Sequence, residues 1–128
     1  MMHILNLIVQ NGTDASETLS PPGIGGNITE PQKVRQVFGG KLAMIGGMDQ
    51  MNILTAGTKD QIRTEVARLF DGFGKDGGYI MSAADHFFDT PVENLQIYAL
   101  RHLAHQGNAN LQNFQDLTYA QAARECVY

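Results

Sequence analysis

The segment that decides the fold is GGYIMSAADHFFDTPVENL, residues 77–95. Its apolar run Tyr79–Ala83, which follows two glycines, predicts a β-strand. A helix is predicted to begin at Thr90, because Thr-Pro-Val-Glu places a capping threonine three residues before a glutamate. Asp85, His86 and two phenylalanines lie between the strand and the helix. These side chains either line a pocket at the end of the strand or close the end of a hydrophobic core.

The same helix-start pattern occurs three times along the chain. Thr29, Thr58 and Thr90 are each followed three residues later by Gln or Glu, at intervals of 29 and 32 residues. In this capping box the threonine hydroxyl and the Gln or Glu side chain each bond to a backbone N–H of the first helical turn. The intervals are close to the length of one strand-plus-helix unit, so the sequence predicts a repeat of such units.

Short apolar runs at 14–19, 41–45 and 79–83 predict the strands of this repeat, and an amphipathic helix is predicted before the first of them. Strands that alternate with helices at this period predict an α/β fold with parallel strands and right-handed crossovers. The helix that begins at Thr58 is the clearest of the set. Its apolar stripe consists of Ile62, Val66, Leu69, Phe70 and Phe73.

Composition excludes several classes of protein. Of the 128 residues, 43% are apolar and 17% are charged, which is typical of a globular domain rather than a disordered chain. A net charge of −4 without a basic cluster argues against nucleic-acid binding. No apolar run reaches the length of a membrane span, so we expect a soluble protein. The lone Cys126 cannot form an internal disulfide, which fits a cytoplasmic location.

Three loops are expected to share the rim at the carboxyl ends of the strands, where parallel α/β folds bind ligands. They span residues 20–27, 46–52 and 84–89. The glycines of the first loop lack a complete nucleotide-binding pattern, so a tight turn is the favoured interpretation. Asp49 either orients a substrate N–H group or caps the short turn that comes after it. His86 is either a ligand contact or a structural histidine.

The two phenylalanines beside His86, Phe87 and Phe88, either wall a pocket or pack under the next helix, and core packing is the favoured interpretation. Successive side chains of an extended segment alternate in direction, so Asp85 is not expected to share the direction of His86. This stretch has no recognisable zinc-ligand spacing, and no cysteine lies near it.

Several segments, in this order, resemble the C-terminal region of the uroporphyrinogen decarboxylase superfamily. They are Gly46-Gly47-Met48-Asp49, the helix start Gly57-Thr58, the strand start Gly77-Gly78-Tyr79-Ile80, and Asp89-Thr90-Pro91-Val92-Glu93-Asn94-Leu95. The stretch at 17–26 looks like the preceding strand and loop of the same family. The resemblance covers about residues 1–107.

This resemblance implies a (β/α)8 TIM barrel, of which residues 1–107 would be the last three βα units, followed by a helical tail at 108–128. One branch of the superfamily consists of lyases of porphyrin biosynthesis, which decarboxylate the acetate side chains of a tetrapyrrole without a metal or organic cofactor. Another branch transfers methyl groups between a corrinoid and a thiol, with zinc held by His and Cys. The key aspartate of the first branch and the His-x-Cys element of the second lie in earlier strands, so neither is present here.

In the decarboxylases a histidine after the last strand faces the substrate, and zinc methyltransferases have a cysteine there. The equivalent position here is Asp85, with His86 one residue later. We therefore expect a substrate-binding rim, with no catalytic residue or metal ligand assigned and with zinc possible only in the methyltransferase branch. The candidate substrate-binding residues are Pro22, Gly47, Met48, Asp49, Asp85 and His86.

The resulting prediction is a C-terminal segment of a uroporphyrinogen decarboxylase-family protein, inactive by itself, whose full-length relatives act on a tetrapyrrole. The alternatives are a corrinoid-dependent methyltransferase-like segment, which would act with a methyl donor and a corrinoid protein, and a non-catalytic half-barrel assembly domain. Because three parallel strands leave two unpaired edges, we also expect a homo-oligomer.

Overall fold

The computed structural model of the chain describes residues 1–105, and side chains as far as residue 99. Strands and helices alternate along it, as predicted. The elements are α1 (Leu5–Gln10), β1 (Ala15–Ser16), α2 (Pro31–Phe38), β2 (Ala43–Met48), α3 (Lys59–Leu69), β3 (Tyr79–Ala83) and α4 (Val92–His105). Three short helical turns connect them: a 3-10 turn at Pro22–Ile24 and π-helical turns at Gln50–Thr55 and Phe70–Gly74.

The three strands form one parallel sheet in the order β1-β2-β3, which confirms the predicted pairing. β3 has the predicted bounds, whereas the other two strands differ from the prediction. β1 covers two residues rather than the six predicted, because Thr18 has a left-handed backbone (φ 54°) that interrupts the extended chain. β2 continues to Met48, because two glycines with positive φ, Gly46 and Gly47, are accommodated inside the strand.

The helix starts match the predicted capping boxes to different degrees. The box at Thr58 is complete: its hydroxyl accepts from the Gln61 N–H at 3.3 Å, and its own N–H donates to the Gln61 side chain at 2.7 Å. The prediction at Thr29 is wrong, because α2 begins at Pro31 without a side-chain cap, and the ring fixes a helical φ there instead. Thr90 lies just before α4, and its hydroxyl is 2.6 Å from the hydroxyl of Thr55.

The helices form a single layer against one face of the sheet. α1 packs on α2, α2 packs on the Phe70–Gly74 turn that continues α3, and α3 packs on α4. The core lies between this layer and the sheet, and four of the five side chains of the stripe predicted for α3 are buried in it, whereas Phe70 is only partly buried and α3 itself ends at Leu69. Its fully buried large side chains are Leu19, Val34, Phe38, Met44, Met48, Leu54, Ile62, Val66, Leu69 and Phe73.

The other face of the sheet is not covered by the helices of residues 1–105. Ile45 and Ile80 are paired neighbours in β2 and β3, and they alternate with the buried Met44 and Met81. Ile80 is 57% exposed. The fold is thus a two-layer α/β arrangement with one open sheet face.

None of the helices within residues 1–105 is long and apolar enough to cross a bilayer. The helical tail predicted at 108–128 lies outside the described residues.

Candidate functional site

The carboxyl ends of the three strands meet at one edge of the sheet, which we call the rim and define as residues 17–30, 49–58 and 84–91. The Pro22–Ile24 turn contacts the Gln50–Thr55 turn, and α4 contacts the same Gln50–Thr55 turn. A side-chain amide strengthens this second contact, because Asn94 donates to the carbonyl of Leu54 at 2.9 Å. The fold therefore gathers the three predicted loops.

The end of β2 is closely packed under the rim. A Cβ atom on Gly47 would lie 3.1–3.3 Å from the side chains of Phe73, Tyr79 and Leu69. The Tyr79 hydroxyl donates to the Gly46 carbonyl at 2.7 Å, and burial raises the pKa of this hydroxyl above its usual range. Gly47 therefore permits a close approach that a side chain would block.

Met48 belongs to β2 rather than to the loop after it, and its side chain is fully buried. Gly47 likewise lies within the strand. Both candidates lie in the last residues of β2, directly before the rim, and their proposed contact with substrate remains a prediction.

Asp49 is a buried capping residue, 6% exposed. Its Oδ1 accepts from the backbone N–H groups of Met51 at 3.0 Å and Asn52 at 2.8 Å, at the start of the π-helical turn. The Asn52 amide also donates to Oδ2 at 2.9 Å and to the carbonyl of Gly23 at 3.0 Å. Of the two roles considered for Asp49, the structure shows the capping of the following turn.

The glycine-rich loop after β1 is a tight turn, as the favoured interpretation predicted. Pro22 begins the 3-10 turn, and Gly25 ends it with φ 84° and donates its N–H to the Pro22 carbonyl at 3.1 Å. A Cβ atom on Gly23 would collide with the Asp49 carboxylate, so this glycine lets the turn close over the capping aspartate. Pro22 therefore shapes the rim through the backbone.

Asp85 and His86 form an exposed pair at the end of β3. The Asp85 carboxylate accepts from the His86 backbone N–H at 2.7 Å, and it lies 2.9 Å from Nδ1 of the imidazole. These two hydrogen bonds, the backbone one first, lower the pKa of Asp85 below its usual value of 3.8. The carboxylate is 69% exposed and the imidazole more so, which leaves both open to a ligand.

The side chains beside this pair are also exposed, so the expectation that Phe87 and Phe88 pack in the core is wrong. Phe88 is 89% exposed and Phe87 is 40% exposed. The Phe88 ring lies nearly parallel to the His86 ring, with centroids 6.5 Å apart. The loop at 84–91 therefore leaves the Phe88 ring almost fully exposed, whereas the Phe87 ring is partly covered.

Sequence reasoning missed the groups that join the rim loops to one another. Asn52 and the Thr55–Thr90 hydroxyl pair connect different loops, and Asn94 connects the start of α4 to the loop at 49–58. The spacing of Asp49 and Asn52, three residues apart after a strand, was a usable signal for the first of these, since it is the spacing of a helix cap. The amide oxygen of buried Gln50 has no hydrogen-bond partner in the structure, and the sequence carried no sign of it.

An open groove of about 320 Å³ lies away from the candidate residues, at the start of α3. Its lining consists of Ile53, Asp60, Gln61, Thr64 and Glu65. No group of three or more His, Cys, Asp or Glu side chains within residues 1–99 is arranged to hold a metal ion.

No family model, no curated protein and no solved structure matches this chain.

Proposed function

We propose that this chain supplies the C-terminal part of the substrate rim of a uroporphyrinogen decarboxylase-family barrel and has no turnover by itself. The order of the sheet supports this proposal. Strands that are adjacent in both sequence and space, with all their helices on one face, are typical of successive units of a (β/α)8 barrel. Doubly wound folds place helices on both faces instead. In such a barrel the open face around Ile45 and Ile80 would be the interior.

The Asp85–His86 pair is the part of the rim that we assign to the ligand. An ionised carboxylate can only accept hydrogen bonds, so the Nδ1 atom that it holds carries a proton and the exposed Nε2 is left for a ligand. A carboxylate at this position would favour a ligand that carries N–H groups or develops positive charge, as a protonated pyrrole does during decarboxylation.

The rim is acidic, which accounts for the proposed lack of turnover. Asp49, Asp85 and Asp89 all belong to it. The acetate groups of a tetrapyrrole need cationic or amide donors, but the rim amide of Asn52 and the amide of Asn94 at the start of α4 already donate to the protein's own carboxylate and carbonyl groups. The groups that hold the substrate carboxylates would have to come from the remaining units of a barrel.

A binding and turnover experiment tests this proposal. Amide chemical shifts would be followed by NMR while uroporphyrinogen is added anaerobically, and the products would be separated by chromatography. We expect weak shifts in the rim loops at 84–91, reduced in Asp85→Asn, and no coproporphyrinogen. The turn at 74–78, at the opposite end of β3, is the internal control. Shifts centred on that turn would overturn the assignment of the rim, and formation of coproporphyrinogen would overturn the lack of turnover.

The methyltransferase branch is the alternative with a metal. Asp85 and His86 would supply at most two ligands from one chain, whereas a catalytic zinc needs three protein ligands. Stoichiometric zinc that survives dialysis, and is lost in His86→Ala, would favour this alternative over the decarboxylase. The non-catalytic assembly domain is the alternative supported by the open edges of the sheet. For all three we propose a cytoplasmic location, on the basis of the lone Cys126.

A further inference from the structure

The two edges of the sheet differ in their protection against pairing with another strand. β1 has two residues and is flanked by the acidic Asp14 and Glu17. β3 has five residues, Tyr79-Ile80-Met81-Ser82-Ala83, without a charge or a proline. Short length, charge and proline are the features by which edge strands avoid pairing. β1 is therefore protected, and β3 is not.

The bonds between β3 and β2 fix which backbone groups of β3 face outward. Gly78 and Ala84 both bond to β2, through a carbonyl at 2.8 Å and an N–H at 2.9 Å. In a parallel strand the N–H and C=O of one residue point to the same side, and successive residues alternate between sides. Tyr79, Met81 and Ala83 therefore direct three N–H and three C=O groups toward the outer edge, which no other strand within residues 1–105 pairs with.

Exposed apolar side chains are concentrated in β3 and in the segment that directly follows it. Seven large apolar side chains are exposed in the part of the chain that the structure describes, and four of them lie between residues 80 and 92. These four are Ile80, Phe87, Phe88 and Val92. Such a concentration on a small domain is typical of an interaction surface.

We propose that β3 is a dimerisation edge, which pairs antiparallel with β3 of a second copy of this chain. Pairing about a two-fold axis uses the same surface of both copies. In the register centred on Met81, each Tyr79 lies opposite Ala83 of the partner subunit. This register satisfies every outward N–H and C=O group of both strands, and it joins the two sheets into one. The inference rests on the edge of this chain and not on the proposed function, since in a closed barrel the same edge would pair with another βα unit.

Charge favours the antiparallel direction. Exposed Lys75 lies before β3 and exposed Asp85 lies after it. In an antiparallel pair the end of one strand lies beside the start of the other, so Asp85 comes near Lys75 of the partner subunit. A parallel pair would place Asp85 beside Asp85 of the partner subunit, and like charges repel. The acidic neighbour of Lys75, Asp76, is already paired with Arg35 at 3.4 Å.

Sedimentation velocity of the full chain at micromolar concentration tests the dimer. We expect twice the chain mass of 14.0 kDa. Ile80→Lys should weaken the dimer by about tenfold or more, because it places a charge on the paired edge. Leu7→Lys on α1 is the matched control, since Leu7 is 61% exposed and lies far along the chain from β3. Circular dichroism would verify that both variants are folded.

Three outcomes would overturn the dimer. The first is a wild-type chain that sediments as a monomer. The second is an equal decrease in sedimenting mass in Ile80→Lys and Leu7→Lys. The third is a species that grows beyond the dimer with concentration, which would indicate head-to-tail pairing instead.

Disulfide cross-linking tests the register in a Cys126→Ser background. Ile80 lies opposite Ser82 of the partner subunit in the proposed pairing, at a non-hydrogen-bonded position where the Cα atoms of the two strands are about 4.5 Å apart. The double variant Ile80→Cys with Ser82→Cys should therefore form a covalent dimer on mild oxidation, and neither single variant should. Efficient cross-linking of Ile80→Cys alone would contradict this register, and no cross-linking of the double variant would contradict the edge pairing.

Discussion

Two aspartates lie at the same rim and differ in every property that decides whether a ligand can reach them. Asp49 comes directly after β2, is almost fully buried, and accepts hydrogen bonds from Met51 and Asn52. Asp85 comes soon after β3, is exposed, and holds the neighbouring His86. The sequence signal is the same for both residues, a carboxylate directly after or soon after a parallel strand.

The position of the next helical turn causes this difference. A helical turn begins directly after Asp49, and its free backbone N–H groups donate hydrogen bonds to the Asp49 carboxylate. After Asp85 the next helix begins only at Val92, so the carboxylate bonds within its own loop and stays open to solvent. An aspartate at a rim is thus available to a ligand only when no helix start lies directly behind it.

The largest expected effect concerns the packed end of β2. Gly47→Ala should lower the free energy of unfolding by roughly 2–4 kcal/mol, because it combines a left-handed backbone with an overpacked site. Gly77→Ala is the matched control, since Gly77 also has positive φ (82°) but has open space around it. Urea unfolding followed by circular dichroism measures both. Equal losses of unfolding free energy in the two variants would show that close packing at Gly47 adds nothing to the cost of the substitution.

The next largest effect is expected at Gly23, in the turn after β1 that closes over Asp49. Gly23→Ala should lower the free energy of unfolding by about 1–3 kcal/mol, because its Cβ would collide with the carboxylate. The loss should shrink in an Asp49→Ala background, where that carboxylate is absent. A double-mutant cycle by urea unfolding measures this coupling. Simple additivity of the two losses would contradict the contact.

The capping role itself predicts a smaller effect. Asp49→Ala should lower the free energy of unfolding by about 1–2 kcal/mol, as is usual for the loss of a cap. Asp49→Asn should retain part of the stability, because an amide oxygen can still accept from the Met51 and Asn52 N–H groups, whereas its NH2 group would face the Asn52 amide donor in place of Oδ2. If the asparagine variant were as unstable as the alanine variant, the backbone cap at Oδ1 would not be the main stabilising element.

The smallest effect is expected at Asp85. Because its pKa is lowered in the folded protein, its interaction with His86 is present above the unfolded pKa and is lost as the pH falls through the folded one. The carboxylate is largely exposed to solvent, so Asp85→Asn should leave the urea midpoint unchanged at neutral pH. Titration followed by carboxyl NMR should give a pKa below 3.8 in the wild type and a higher one in His86→Ala. An unchanged pKa in that variant would contradict the pairing.

Local sequence signals predicted the elements whose cause is local. The Thr58 capping box is formed as expected, four of the five side chains of the stripe predicted for α3 are buried, and β3 has the predicted bounds. The prediction at Thr29 failed because the proline two residues later is the stronger determinant of where a helix begins. The prediction for Phe88 failed because its burial depended on the path of a loop, which no local pattern specifies.

The sequence by itself determined the alternation of strands and helices, and from it the parallel sheet and the position of the rim. These features depend on periodicity and capping, which act over a few residues. Only the tertiary structure decided that Gly23 closes over Asp49, that Asp85 and His86 are exposed as a pair, and that β3 lies at an edge of the three-stranded sheet. Those properties depend on which distant segments come into contact, whereas the cap that Met51 and Asn52 provide for Asp49 is local.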